Sequence, residues 1–248
     1  MPSPDPNPSA DAWKPRFQAW RDGRAEGGRM PSTHPAIRNP AWSFRGYLPH
    51  FDQPGRVQSL SFRLGDAVPA DVLAKWKSEL GFLEKHAPPS DAKQTELRRR
   101  ITVYEDAGHG ECLLREPWAA QIVRDSLLHF DGERYKMLAW CIMPNHVHAL
   151  IETVDGHAVK EVVGRWKSFT ARFIHARLGR SGALWMEDFF DRFIRSARHL
   201  EVASRYIAEN PVKAGLCQKP EDWMFGGNPG NAGVHARLDP EQPHTAGV

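Results

Sequence analysis

Residues 135–152 read YKMLAWCIMPNHVHALIE, and the fold turns on how this stretch divides. Two apolar runs flank Pro144-Asn145, a pair suited to a tight turn, so each run reads as a strand and the short turn makes them antiparallel neighbours. Side chains alternate faces along a strand. His146 and His148 therefore project together while Val147 turns to the opposite face. Two imidazoles side by side on rigid backbone form half of a metal site; the other half must come from elsewhere in the chain.

Upstream, VQSLSFRL at residues 57–64 alternates apolar and polar residues and reads as the first strand. From Asp71 to about His86, Val72, Leu73, Trp76, Leu80 and Leu83 recur at helical spacing, with Asp71 placed as a cap. A second helix is expected from Asp91 to about Asp106, and the two form a helical insertion over about residues 66–116. The run Arg98-Arg99-Arg100 within it is expected to be a solvated face. Pro117 opens a third helix, running from about Trp118 to Phe130.

Downstream, Val159, Val162, Val163, Trp166, Phe169, Phe173 and Ile174 trace an apolar stripe from about Val159 to Leu178, closed by Gly179-Arg180-Ser181-Gly182. Leu184 to Ser196 reads as a last strand, and a helix from about Ala197 to Asn210 is expected to stop at Pro211, because the residue before proline resists the helical region. The order strand, helix, strand, strand, helix, strand predicts an α+β, ferredoxin-like antiparallel sheet with helices packed on one face. A C-terminal helix and the helical insertion after the first strand are added to it. Residues 1–44 are expected to be a flexible extension, with Trp13, Phe17 and Trp20 forming at most a short amphipathic turn. Residues 45–224 are the expected domain and 225–248 a mobile Gly-, Pro- and Asn-rich tail.

Composition narrows the function classes. With 248 residues, 41% hydrophobic, and a formal charge of +3, the chain fits a globular protein whose mild basicity permits nucleic acid as a partner without indicating it. Cys112, Cys141 and Cys217 are far apart with no CxxC pair, which argues against a disulfide framework or a zinc ribbon and suits a reducing cytoplasm. No apolar run reaches the ~20 residues of a membrane span, and the N-terminus lacks the layout of a signal peptide. No GxxxxGK[ST] loop is present for nucleotide hydrolysis. The segment after His148 adds no third alternating histidine, and no PCxxC partner for a zinc deaminase exists.

In the final helix Tyr206 and Asn210 are four residues apart and share a face, flanked by Ala203 and Ile207 as anchors. An asparagine amide oxygen can join two imidazoles in holding a hard divalent ion, with positions left for water or a phosphate oxygen. A tyrosine one turn away would sit beside that phosphate, and needs activation to act as a nucleophile. Arg192, Arg195, Lys167 and Lys213 are the basic residues that could meet phosphates near this helix, with salt bridges to Asp188 or Asp191 an equal competing use of the two arginines. His175, His199 and Cys141 read as structural or exposed.

PNHVHALIE resembles the histidine-hydrophobe-histidine motif of single-tyrosine transposases, and RYIAENPVKAGL resembles the tyrosine helix of their REP-associated branch. KSFTARFIHARLGRSGALW, DFFDRFIR, RGYLPHFDQPG and GECLLREPWAAQIV are similar to the same branch, so that the resemblance covers about Arg45 to Trp223. It implies Tyr206 as nucleophile and His146, His148 and Asn210 as ligands of magnesium or manganese. The implied substrate is single-stranded DNA folded as an imperfect hairpin, cut to leave a 5′-phosphotyrosine and a free 3′-hydroxyl. The long N-terminal extension and the helical insertion depart from compact members, which occur as monomers or as dimers with exchanged helices. A domesticated hairpin-binding protein that does not cut is the competing expectation.

Overall fold

In this computed structural model, residues 42–45, 48–51, 55–81, 91–154 and 156–227 are described. β1 (Trp42–Arg45) and β2 (Leu48–Phe51) pair as a separate antiparallel hairpin. Then follow β3 (Val57–Arg63), α1 (Ala70–Glu79), α2 (Asp91–Asp106), α3 (Pro117–Leu128), β4 (Tyr135–Ile142), β5 (His146–Thr153), α4 (Val159–Leu178), β6 (Phe190–Phe193), α5 (Ala197–Lys213) and β7 (Gly226–Gly227). The last five strands form one antiparallel sheet in the order β6-β3-β5-β4-β7. The fold is thus the expected α+β arrangement.

The alternation in β3 and β5 decides what each face of the sheet does. Leu60 and Phe62 of β3 and Val147, Ala149 and Ile151 of β5 point to one side, where Ile122, Val123 and Leu127 of α3 and Val162, Val163, Trp166 and Phe169 of α4 cover them. Burial of each such side chain is worth ~1.5–3 kcal/mol, so this layer is the main source of stability. On the other side Leu150, Cys141 and Ala139 meet Ile207, Leu200 and Ala203 of α5. A bulge between Met137 and Ala139 in β4 sends both Leu138 and Ala139 to that second side. Helices therefore lie on both faces, with α5 and the end of α2 opposite the α3–α4 layer.

Several local expectations need correction. Pro211 does not end α5, which continues to Lys213. The hydrogen bond that proline forfeits, to the Ile207 carbonyl, falls in the last turn, and the carbonyls there find partners, Ala214 N donating to Asn210 at 3.0 Å and Leu216 N to Pro211 at 2.8 Å. The last strand is only four residues long. Trp185 makes an isolated bridge to Leu64, but the Asp188 carboxylate accepts from Phe189 N at 3.0 Å, and this local bond interrupts the ladder until Phe190. Asp71 lies in the first turn of α1 and is not its cap, which is Pro69.

Gly226 and Gly227 pair with Cys141 and Trp140, so the expected tail begins with a short edge strand. Arg99 and Arg100 pair with Glu96 on the surface, at 2.8 and 3.0 Å, while Arg98 instead stacks over Phe190. Trp13, Phe17, Trp20 and the rest of 1–41 lie outside the described residues, as do 228–248. Among the described residues no helix is long and apolar enough to cross a membrane.

Tyr135 links the two helices of the main layer to the sheet. Its hydroxyl donates to the Leu127 carbonyl at 2.8 Å and accepts from Trp166 Nε1 at 3.0 Å, all buried. Tyr135→Phe leaves the indole N–H without that acceptor, and should lower the unfolding free energy in urea by about 1–3 kcal/mol. An unchanged midpoint would show that the hydroxyl contributes nothing to the junction.

Candidate active site

β5 sets the histidine pair. His146 lies opposite Arg63 and His148 opposite Ser61 in the ladder with β3, and both rings face away from the α3–α4 layer. Their Nε2 atoms are 3.0 Å apart. Asn145, in the turn, fixes the tautomer of the first ring. Its Nδ2 donates to the carbonyls of Glu105 at 3.2 Å and His109 at 2.9 Å, so Oδ1 must be the end that faces His146 Nδ1 at 2.7 Å. Nδ1 therefore carries the proton and donates to Asn145, leaving the Nε2 lone pair of His146 pointing at His148. Burial, then the neighbouring His148 and Arg63, hold His146 well below the ordinary histidine range. Burial alone pushes His148 down to about 4. Both rings are neutral near pH 7, as ligands must be.

α5 brings the tyrosine to the same place from the same chain. Its Ile207 packs into the second apolar cluster, which turns Tyr206 and Asn210 toward β5. The Tyr206 ring meets His148 edge-on, with centroids 5.6 Å apart. Asn210 is only 2% exposed, and its Nδ2 has no hydrogen-bond partner. A buried amide nitrogen without a partner costs free energy, and this one lies one turn along α5 from Tyr206, the residue that meets His148. Burial and then the Asp106 carboxylate raise the Tyr206 phenol above its usual range, while the nearby Asn210 side chain pulls it back. Lys213 places its ammonium 5.2 Å from the centre of the Tyr206 ring and pairs with Glu209 at 3.0 Å.

The end of α2 completes the surroundings, a part of the site that sequence reasoning missed. Asp106 Oδ1 lies 3.8 Å from His146 Nε2. Glu105 is buried against Arg63 at 3.5 Å; burial pushes its carboxyl up to about 7, the guanidinium opposing. The signal, in retrospect, was two acids ending a helix with no basic residue in its last turn, where the helix dipole disfavours negative charge.

The donor set suits a hard divalent ion. Among the described residues no trio of His, Cys, Asp or Glu is gathered as a metal cluster; the Asn210 amide oxygen could serve as a third donor beside the two imidazoles. The 3.0 Å between the imidazole nitrogens matches neighbouring ligands held at ~2.1 Å from one octahedral ion.

The four basic candidates separate. Arg192 lies opposite Ser59 in the ladder, on the face shared by Ser61 and His148. Arg195 follows β6, and its N donates to His199 Nδ1 at 3.3 Å; neither arginine is ion-paired with a described carboxylate. Burial, with Arg192 and Arg195 adding to it, lowers His199. Lys213 is at the tyrosine. Lys167 sits on α4, across the sheet, where it donates to the Glu187 carbonyl at 2.7 Å and burial pushes it down to about 8.

Residues 121–210 match the family model described as Transposase IS200 like. The REP-associated tyrosine transposase of Escherichia coli (strain K12) is 27% identical over 106 residues, 42% of this chain and 62% of that protein. A Haemophilus influenzae protein of similar description is 26% identical over 102 residues, 37% of this chain and 57% of that one. The chain thus spans about 60% of the length of these curated relatives. A solved REP-associated tyrosine transposase bound to a REP hairpin aligns over 74% of this chain and 81% of its own, at 16% identity and a TM-score of 0.45. Residues 121–210, which carry His146, His148, Tyr206 and Asn210, are thus similar to the IS200-like transposases, and the chain is distantly similar to the REP-associated tyrosine transposases.

Proposed function

We propose that this protein cuts and rejoins single-stranded DNA beside hairpins, with Tyr206 as the nucleophile. The observation that carries it is the meeting of Tyr206 with His148, 5.6 Å between ring centres, next to the paired imidazoles, with the buried side chain of Asn210 one turn along the same helix. His146, His148 and the Asn210 oxygen would hold magnesium or manganese, which when bound polarises the phosphoryl group and orients it for in-line attack.

The chain's own residues do the rest. Tyr206 Oη attacks the phosphorus, the bond to the 3′-oxygen breaks, and that oxygen leaves as a hydroxyl once protonated. The product is a phosphodiester from Tyr206 to the 5′-end of the downstream strand, and attack by another 3′-hydroxyl reverses the step and joins the ends. Tyr206 starts as a neutral phenol, so its proton must leave as the bond forms. Lys213 over the ring and Arg192 on the same sheet face supply positive charge where phosphate would pass. Because Tyr206 reaches His148 of its own chain, a monomer suffices for the chemistry. The hairpin as target is supported by the similar proteins, of which one was solved with a REP hairpin.

With a labelled single-stranded hairpin and manganese, the wild type should give a covalent product that resists denaturing gel conditions. Tyr206→Phe and His148→Ala should both abolish it, with Tyr206→Phe still binding the hairpin. Hairpin binding without any product, across both metals, would instead make the protein a non-cleaving binder. Asn145→Ala removes the acceptor that fixes His146, and should weaken manganese binding about 10–100-fold by calorimetry. An unchanged affinity would remove Asn145 from the account.

A further inference from the structure

We propose that Asp106, carried in by the helical insertion, is the anionic donor of the metal site, a fourth ligand beside His146, His148 and Asn210. The inference rests on the reading of that site as a metal site, and goes beyond it in adding a residue from outside the matched segment 121–210. Three observations support it. Asp106 Oδ1 stands 3.8 Å from His146 Nε2, on the side of the ring where the lone pair emerges. Its side chain is 36% exposed, so it can rotate toward the pair. The Asp106 carboxylate also acts electrostatically on Tyr206, whose ring meets His148 edge-on.

Charge supplies the reason. Two imidazoles and an amide are all neutral, and a hard dication held by neutral donors alone competes poorly with water; carboxylate oxygens are what magnesium and manganese select. Asp106 meanwhile does nothing for the helix that carries it. As the last residue of α2 it adds negative charge at the negative end of the helix dipole, beside Glu105 and with no basic residue in the turn. A bound cation converts that cost into binding. The placement is held firmly, since Asn145 ties the Glu105 and His109 carbonyls to the turn before His146 and Arg63 pairs with Glu105. Gly110 then lets the chain turn at φ +87, with Asp66 so close that a Cβ there would meet its carbonyl at 2.8 Å.

The test is manganese binding to the full chain, by calorimetry and by electron paramagnetic resonance, for wild type, Asp106→Asn and His148→Ala, with metal-free melting temperatures as the control for folding. Asp106→Asn should bind manganese at least about tenfold more weakly while keeping the nitrogen modulation of two imidazoles and an unchanged metal-free melting temperature. Asp106→Glu should restore part of the affinity. If wild type binds manganese, His148→Ala abolishes binding and Asp106→Asn binds as wild type does, the Asp106 inference fails and the metal site stands. If wild type itself binds no manganese, or His148→Ala binds as tightly, both fall together. A Asp106→Asn protein whose metal-free melting temperature drops while its affinity per folded molecule holds would assign Asp106 to folding and overturn the inference.

Discussion

One side-chain amide, that of Asn145, constrains the whole site. An amide has a donating end and an accepting end, and two carbonyls at the end of α2 claim the donors. The oxygen is then left for His146, and one ring nitrogen of that histidine is committed before any substrate or ion arrives. The backbone of the same turn is pinned as well: Leu64 N donates to the Asn145 carbonyl at 2.9 Å and Leu114 N to that of Pro144 at 3.0 Å. Strand, insertion and turn thus meet at two residues, and the direction of the His146 lone pair follows from hydrogen bonding that is already complete.

The sheet separates stability from chemistry. Period-two alternation in β5 puts Val147, Ala149 and Ile151 into the layer under α3 and α4, and His146 and His148 on the other side. A one-residue slip of this strand would exchange the two sets, burying the imidazoles among aliphatic residues. The register is therefore defended by the larger of the two apolar clusters. On the chemical side α5 is held by a smaller cluster around Ile207, enough to bring Tyr206 to His148 while leaving the tyrosine 37% exposed. For the proposed nucleophile, which would have to meet a DNA strand, that opening is required.

What the sequence made legible was what depends on period and turn chemistry. YKMLAWCIMPNHVHALIE divides into β4 and β5 as its alternation and Pro144-Asn145 demand, and the stripe from Val159 to Leu178 is α4 to the residue. Tyr206 and Asn210 share a face by helical spacing, and the fold brings the tyrosine to His148. The misses concern tertiary context. Pro211 breaks helices in general, but in a last turn whose carbonyls are satisfied by Ala214 and Leu216 it costs little. Gly226-Gly227 has no strand signal, and pairs only because the edge of β4 is there to receive it. The approach of Asp106 to His146 spans forty residues, and no local pattern announces it.

The central claim is that Tyr206 forms a covalent bond to DNA at the histidine pair. The measurement that tests it most directly is mass spectrometry of the peptides left after wild-type protein, manganese and a single-stranded hairpin substrate have reacted and the DNA has been digested. The expected result is a nucleotide-bearing peptide containing Tyr206, modified on the phenolic oxygen through a 5′-phosphate. A nucleotide on any other residue, or a 3′-phosphate linkage at Tyr206, would contradict it.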